Sequence, residues 1–542
     1  MEIISGQLSS KPLASVKVIT MTFIKKSTLL YLLSLVVAIF VFLKNAWVSE
    51  DAYILFRSIE QLFAGNGPVW NPHERVQVFT SPLWFFVLST VRIFSHNVYL
   101  NAIVVSLILW ILTIDVLKKT FKSNVVLLTS ILLFSASTGF YDYTSSGLEN
   151  VLAYFVIAVY ILNYTKLFTF DEDSKIPKEN LIWFIFISFG LILCVRHDLV
   201  LILMPPTIYV VLKNWRFFSI KQWITLSIIA LSPFILWSLF SLIYYGFPFP
   251  NTAYAKLNTG IPQIEIFTQG LKYFISSLKY DTGTLLVITG SLVLNFFSSS
   301  EKYLKYLGYG VLLNLLYVGY VGGDFMQGRF LSYAYIVSVI LLLLRLDKIH
   351  FPKFKSLTFI AVSFYLVLYP HTAFNSPFNY ENKVIDMGIA DERGFYFNEL
   401  SLYRYLLRDK KGKFFPAHSW ARNGYEFKES SDRITIVSTI GLFGYHSGTE
   451  KIIVDPHALS DPLLARMPVT GSWRIGHITR KIPDGYVESI INGNEAIVNP
   501  QLNEFYKKLK IVTQNEKLFT QERLKTIILF NISAYDHLLL AE

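Results

Sequence analysis

The sequence predicts an all-α polytopic membrane domain of about eleven transmembrane helices plus one interfacial helix, followed by a C-terminal α/β domain outside the membrane. Three observations carry that expectation. Of 542 residues, 53% are hydrophobic and only 16% charged, where soluble domains carry about 25% charged residues; mean hydropathy is +0.44. Apolar runs recur from Thr28 to about Tyr369, and a bilayer crossing needs about 20 mostly apolar residues. From His371 onward long apolar runs stop and charges become frequent.

The chain opens with a predicted cytoplasmic segment, 1–26. Lys25 and Lys26 precede the run Ser27–Leu43, and no small-residue cleavage site follows before Trp47, so this run reads as an uncleaved first span. Further runs lie near 83–96, 99–116, 125–138, 150–165, 181–195, 199–213, 223–244, 282–297, 306–321, 331–346 and 356–370. Loop charge decides which of them cross. If 83–96, which follows a Ser-Pro break and contains Arg92, lies along the outer interface, eleven crossings remain. The basic loops Lys118–Lys122, Lys166–Lys178, Lys213–Lys221, Lys302–Lys305 and Arg345–Lys355 then all face the cytoplasm, as the positive-inside rule requires. The same clustering explains the net charge of +11 without nucleic acid. Loops 44–82, 139–149, 196–198, 245–281 and 322–330 face outward. The domain boundaries are therefore 27–370 for the membrane domain and 371–542 for the tail. In the tail, Ile434–Thr439 and Lys451–Val454 are β-rich. The single cysteine, Cys194, lies in an apolar run, so there is no disulfide framework.

The outer loops hold the residues able to do chemistry. Glu50 and Asp51 stand together after the first span, beside Tyr53. Adjacent carboxylates near low dielectric raise one another's pKa and provide a proton acceptor or a metal ligand; a solvated helix start is the plainer alternative. Trp70 and Trp84 offer flat faces, or simply interfacial anchors. Arg196-His197-Asp198 separates two apolar runs, and charge there needs pairing or water; an internal salt bridge is the alternative. YDYTSSGLEN (141–150), PFPNTAYAK (248–256) and GGDFMQGRF (322–330) fall on the same face. Acids with bases in one outward cavity suit a phosphate-linked substrate: cations hold the leaving phosphate and a carboxylate takes the proton of an attacking hydroxyl. No nucleotide-cradling glycine loop is present, and nucleotide donors are cytoplasmic, so a polyprenyl carrier fits better.

Glu50-Asp51-Ala52-Tyr53-Ile54, Val69-Trp70-Asn71-Pro72 and Glu74-Arg75-Val76 resemble the first loop of GT-C-fold membrane glycosyltransferases, in particular the mycobacterial terminal arabinofuranosyltransferase and its bacterial relatives. Ser146-Gly147-Leu148-Glu149, Pro250–Lys256, Gly322-Gly323-Asp324-Phe325 and Arg329-Phe330 continue the likeness. So do Gly441–Gly448, Asp461-Pro462, Gly476-His477 and Pro483-Asp484-Gly485-Tyr486. The resemblance runs in order through residues 50–490. It implies a GT-C fold in a bacterial cytoplasmic membrane with the tail extracytoplasmic. It also implies a polyprenyl-phosphate sugar donor, a pentofuranose by the nearest likeness, and inverting transfer to an envelope glycan, lipid or protein. By the same likeness Asp51 is the general base and Glu50 supports it or shares a divalent cation, Mg or Mn. Arg196, Lys256 and Arg329 then bind the donor phosphate. Asp324, Trp70, Asn71, Glu149, Asn251, Tyr254 and His477 are the sugar- or acceptor-binding candidates. Two departures stand out: Glu50 where the family commonly has Asp, and Arg-His-Asp at 196–198 where Arg-Pro and an acid are expected.

A transporter or flippase of lipid-linked precursors is the main alternative. It predicts charges near the bilayer midplane and broken helices in paired halves, whereas the carboxylates here sit at loop ends. A scaffold with a polymer-binding tail accounts for the tail alone. A lipid-linked oligosaccharide ligase would use a similar outward site.

Overall fold

In a computed structural model, the structure describes residues 26–170, 176–257, 259–297, 301–348, 352–381, 383–408, 414–469, 471 and 473–539. The predicted cytoplasmic segment lies, but for Lys26, outside the described residues. The first two-thirds of the chain is helical. In order come α1 (Lys26–Asn45), α2 (Ala52–Phe63), α3 (Pro82–Phe94), α4 (Val98–Thr120), α5 (Asn124–Ser135), α6 (Thr138–Asp142), α7 (Asn150–Phe168) and α8 (Lys178–Val195). Then follow α9 (Val200–Asn214), α10 (Ile220–Tyr244), α11 (Asn251–Leu257), α12 (Gln263–Tyr280), α13 (Thr282–Phe297), α14 (Lys302–Tyr320), α15 (Leu331–Lys348) and α16 (Pro352–Leu368).

Five described helices are long and apolar enough to cross a membrane: α1 from Ser27, α4, α7, α8 and α10. A sixth span results if α12 and α13, which meet at 109°, count as one bent element. This is the make-up of a membrane protein with several spans. The other predicted crossings form helices of 12 residues (α5), 15 (α9), 16 (α13), 19 (α14), 18 (α15) and 17 (α16), so helix length alone does not yield eleven. The run near 83–96 forms the short α3, with Ser81 accepting the Trp84 N–H as its N-cap. The helices α2, α11 and α12 lie in segments read from sequence as outer loop.

The helices α7 and α15 form the centre of the bundle. Both are buried along most of their length and carry charge only in the last turn, at Lys166 and at Arg345, Asp347 and Lys348. With no polar stripe they must be covered on all sides. Accordingly α7 packs on α4 and α8, and α15 on α13, α14 and α5. Tyrosines take much of this interior: Tyr154, Tyr160, Tyr333 and Tyr335 are fully enclosed.

The tail contains α17 (Glu392–Leu400), α18 (Leu402–Leu407), α19 (Ser419–Glu429), α20 (Ile440–His446), α21 (Tyr486–Asn492), α22 (Pro500–Thr513) and α23 (Gln521–Asn531). Its strands are short: β1 (Ile385–Asp386) pairs antiparallel with β2 (Ile389–Ala390), and β3 (Ile434–Ile436) pairs parallel with β4 (Ile452–Val454). The two β-rich pieces read from sequence are thus strand neighbours. The core runs unbroken through the expected boundary at 371. Ile389, Phe397, Leu400, Leu442 and Ile453 share one hydrophobic cluster with Trp47, Tyr53 and Tyr154. A second cluster gathers Phe505, Leu509 and Val512 with Phe247.

The tail is also bolted to the first outer loop. Arg57 of α2 is fully buried and donates to the carbonyls of Trp70 (3.1 Å), Gly444, Gly448 (2.7 Å) and Lys451 (2.7 Å). A guanidinium presents five donors in a fixed fork and cannot deprotonate at ordinary pH, which makes it an effective clip for several carbonyls at once.

Candidate active site

The outer-loop acids and bases converge. The C-terminal end of α8 delivers Arg196, whose Nη1 lies 3.1 Å from Glu149 Oε1 and whose Nε and Nη2 grip Asp198 at 3.0 and 3.2 Å. Glu149 precedes α7. Its Oε1 also accepts from Arg329 Nη2 at 3.2 Å, and Arg329 Nη1 stands 3.6 Å from Asp324 Oδ2. One carboxylate therefore ties together two arginines from distant loops. Phe330 and Tyr333 lie 4.8 and 5.5 Å beneath the Arg196 guanidinium. Burial alone would raise the Glu149 pKa, but Arg329 and Arg196 outweigh it and hold the carboxylate below its ordinary range. In Asp324, Oδ2 is buried with no hydrogen-bond donor, and in Arg329 the Nε–H is buried with no acceptor. Unsatisfied groups of this kind are costly unless a ligand completes them.

Asp51 faces this network from the first loop. Burial raises its pKa, and the fields of Arg329 and Lys256 pull it back. Lys256, on α11, is exposed to water although protein surrounds it. Burial lowers its pKa, and Asp324 and Asp51 oppose that shift. No ion pair or hydrogen bond holds its ammonium among the described residues, whereas both arginines are paired. Of the three predicted phosphate-binding cations, Lys256 is the one able to take an anion without breaking an existing bond.

Glu50 points elsewhere. Its Oε1 accepts the Leu442 N–H at 2.9 Å from the start of α20. A Cβ at Gly441 would lie 2.1 Å from the Glu50 carbonyl oxygen and 2.7 Å from its carboxyl, so only glycine lets the tail approach this closely. Burial first, then the neighbouring Asp51 charge, raises the Glu50 pKa, while the Leu442 and Gly441 amides act against the shift. The two acids thus face different partners. Among the described residues no group of three His, Cys, Asp or Glu side chains is arranged to hold a metal ion.

His477 reaches the site's wall from the tail, edge-on to Phe325 with ring centroids 4.6 Å apart. A Cβ at Gly476 would strike the Phe325 ring at 2.2 Å. Burial, Arg474 and His457 push the His477 imidazole down to about 4, so it is neutral at physiological pH.

Four predicted ligand residues are placed otherwise. Trp70 is fully buried, stacked by Arg57 at 4.8 Å and covered by Gly444, so it has no free face for a sugar. Asn71 exchanges two hydrogen bonds with the Ile453 backbone, 3.1 and 3.0 Å, and acts as an edge partner of β4. Asn251 donates to the carbonyls of Ala458, Leu459 and Asp461 at 3.0–3.2 Å and accepts from Arg466. Tyr254 packs edge-on to Phe247 at 5.6 Å, with Arg466 above it at 4.8 Å. These residues join the outer loops to the tail. The sequence reading had also missed Glu392, a buried tail carboxyl whose pKa is driven well up by burial, with Asp51, Glu50 and Asp324 nearby. Nothing in the tail sequence marked it.

The chain is similar to two curated proteins, each named terminal beta-(1->2)-arabinofuranosyltransferase. The one from Mycobacterium tuberculosis is 24% identical over 247 residues, 42% of this chain and 37% of the relative. The one from Corynebacterium glutamicum is 26% identical over 334 residues, 53% of this chain and 46% of the relative. The chain thus spans under half the length of these curated relatives. No protein-family model matches the sequence. The likeness read from the motifs points to the same enzymes.

Proposed function

We propose that the protein is an inverting glycosyltransferase. It moves a sugar, by analogy with the relatives an arabinofuranose, from a polyprenyl-phosphate donor to an envelope glycan on the outer face of the cytoplasmic membrane. The observation that supports this best is the meeting of Asp51 with Lys256, Arg329, Asp324 and Glu149, brought together from four separate loops. Carboxylates at loop ends suit a transfer site opening to the outside better than a transport path through the bilayer. We keep the eleven-crossing topology as part of this proposal, because it places every one of these residues on one side.

In this reading the acceptor hydroxyl hydrogen-bonds to Asp51, and its oxygen attacks the anomeric carbon opposite the phosphate. The new carbon–oxygen bond forms as the bond to the phosphate oxygen breaks, and Asp51 takes the hydroxyl proton. Lys256 receives the departing phosphate charge, with Arg329 beside it. The Glu149 bridge fixes both arginines in place, and Asp324 Oδ2, which has no hydrogen-bond donor of its own, accepts a sugar hydroxyl. Burial keeps Asp51 more basic than a surface carboxylate, which favours its role.

Purified protein supplied with polyprenyl-phosphate arabinofuranose and an arabinan acceptor should extend the acceptor by one pentose. Asp51→Asn should lower turnover about 10²–10⁴-fold with an unchanged melting temperature. Wild-type turnover by that variant would remove the base from the mechanism.

A further inference from the structure

Between α12 and the tail lies a cavity of about 590 Å3, within the range of about 300–1,000 Å3 common for ligand sites. Three faces of α12 explain how it forms. Tyr273, Gly270 and Ser277 pack inward. Ile264, Phe267, Leu271, Ile275 and Leu278 form an exposed apolar stripe at helical spacing, the pattern of a helix lying in a membrane surface. The third face, Glu265, Thr268, Gln269 and Lys272, lines the cavity opposite Trp473 and Arg474.

We infer that this groove holds the stretch of acceptor glycan that leads to the reacting terminus; the inference rests on the transferase reading. Trp473 is half-buried, and its indole N–H donates to Glu265 Oε2 at 3.2 Å, which fixes the ring as a flat platform. A fixed aromatic face flanked by amide, hydroxyl, carboxylate and cationic groups matches a polyhydroxylated, uncharged chain. The tail segment that lines the groove also forms part of the wall of the cluster. Arg474 donates through Nε to the Gly388 carbonyl at 2.8 Å. Three residues on, His477 lies against Phe325, the neighbour of Asp324. Because the amphipathic helix forms one side, the groove runs along the membrane surface, where a growing envelope polymer would lie.

The test uses the full-length protein in detergent and a linear arabinofuranose hexasaccharide, with binding measured by calorimetry without donor. Trp473→Ala should weaken binding about tenfold, the loss of one stacking face, and Trp473→Phe should restore most of it. In turnover, Trp473→Ala should raise KM for the hexasaccharide about tenfold and leave KM for a disaccharide and kcat unchanged. Unchanged hexasaccharide binding in both Trp473→Ala and Lys272→Ala, with wild-type transfer intact, overturns the groove and leaves the transferase standing. Groove-dependent binding without any transfer by the wild type overturns the transferase reading instead. Weakened binding of polyprenyl monophosphate, with hexasaccharide binding unaffected, also overturns the groove assignment.

Discussion

Two sets of polar residues lie in the loops between the helices, and they differ in what their hydrogen-bonding groups already do. Around Trp70, Asn71, Asn251 and Tyr254 the side chains are committed to the tail: Asn251 serves three carbonyls and Asn71 completes a strand edge. Around Asp51, Lys256, Asp324 and Arg329, donors and acceptors are left over. Both sets lie in motifs that resemble those of the same kind of enzyme, yet the charged side chains with unmet hydrogen-bonding groups, Asp324 and Arg329, belong to the second. A motif residue whose side chain is saturated by backbone is holding the site together, whereas one with an unmet partner is available to act.

Substitutions can break this contrast, and the largest effect beyond the base itself is expected at Glu149. Glu149→Ala leaves Arg196 and Arg329 without their shared carboxylate, and losing one member of a buried ionic group costs about 3–5 kcal/mol. Thermal unfolding should show it as a sharp fall in melting temperature, and a change within error would mean that the bridge holds nothing. Next, Lys256→Ala should weaken donor binding by about 1.5–3 kcal/mol, the worth of a charge-assisted hydrogen bond. Arg329→Ala should weaken it more than Asp324→Ala does. Donor titrations giving the opposite order for the last pair would reject the phosphate assignment.

Asn251→Ala sharpens the comparison from the other side. Three carbonyls lose their donor, so stability should drop by about 1–3 kcal/mol, while KM for donor stays put in the folded fraction. A selective rise in donor KM would return Asn251 to the ligand set. The smallest effect concerns pH and Glu50. Its pKa is raised in the folded state, so the folded chain keeps a proton that the unfolded chain releases. The resulting stabilisation is complete at acid pH and is lost as pH rises through and above the ordinary carboxylate range. Glu50→Gln, which mimics the neutral carboxyl, should flatten that slope. An unchanged slope in Glu50→Gln would show that Glu50 does not hold the retained proton.

Much of the cluster was legible in the sequence because charge near the ends of apolar runs is conspicuous: Asp51, Glu149, Arg196, Asp324 and Arg329 lie close to a hydrophobic stretch, whereas Lys256, well inside a loop, was marked only by the PFPNTAYAK segment. What a side chain touches was not legible. Trp70 and Asn71 look like sugar ligands until the tail is seen to cover them. The helix α12 escaped notice because its cavity and core faces dilute the apolar stripe, so no continuous hydrophobic run appears. Glu392 could not be found, since its place depends on how a tail without long periodic elements folds onto the bundle.

The hydrogen bond from Leu442 to Glu50 joins residues 392 positions apart. At about 5–20 residues per second of synthesis, the ribosome needs about 20–80 s after making Glu50 before its partner amide exists. Through that interval the nascent chain holds a first-loop acid with no amide to meet it at the edge of the lipid. A product cut short before α20 would keep that defect permanently, which makes any such fragment a natural target for membrane quality control.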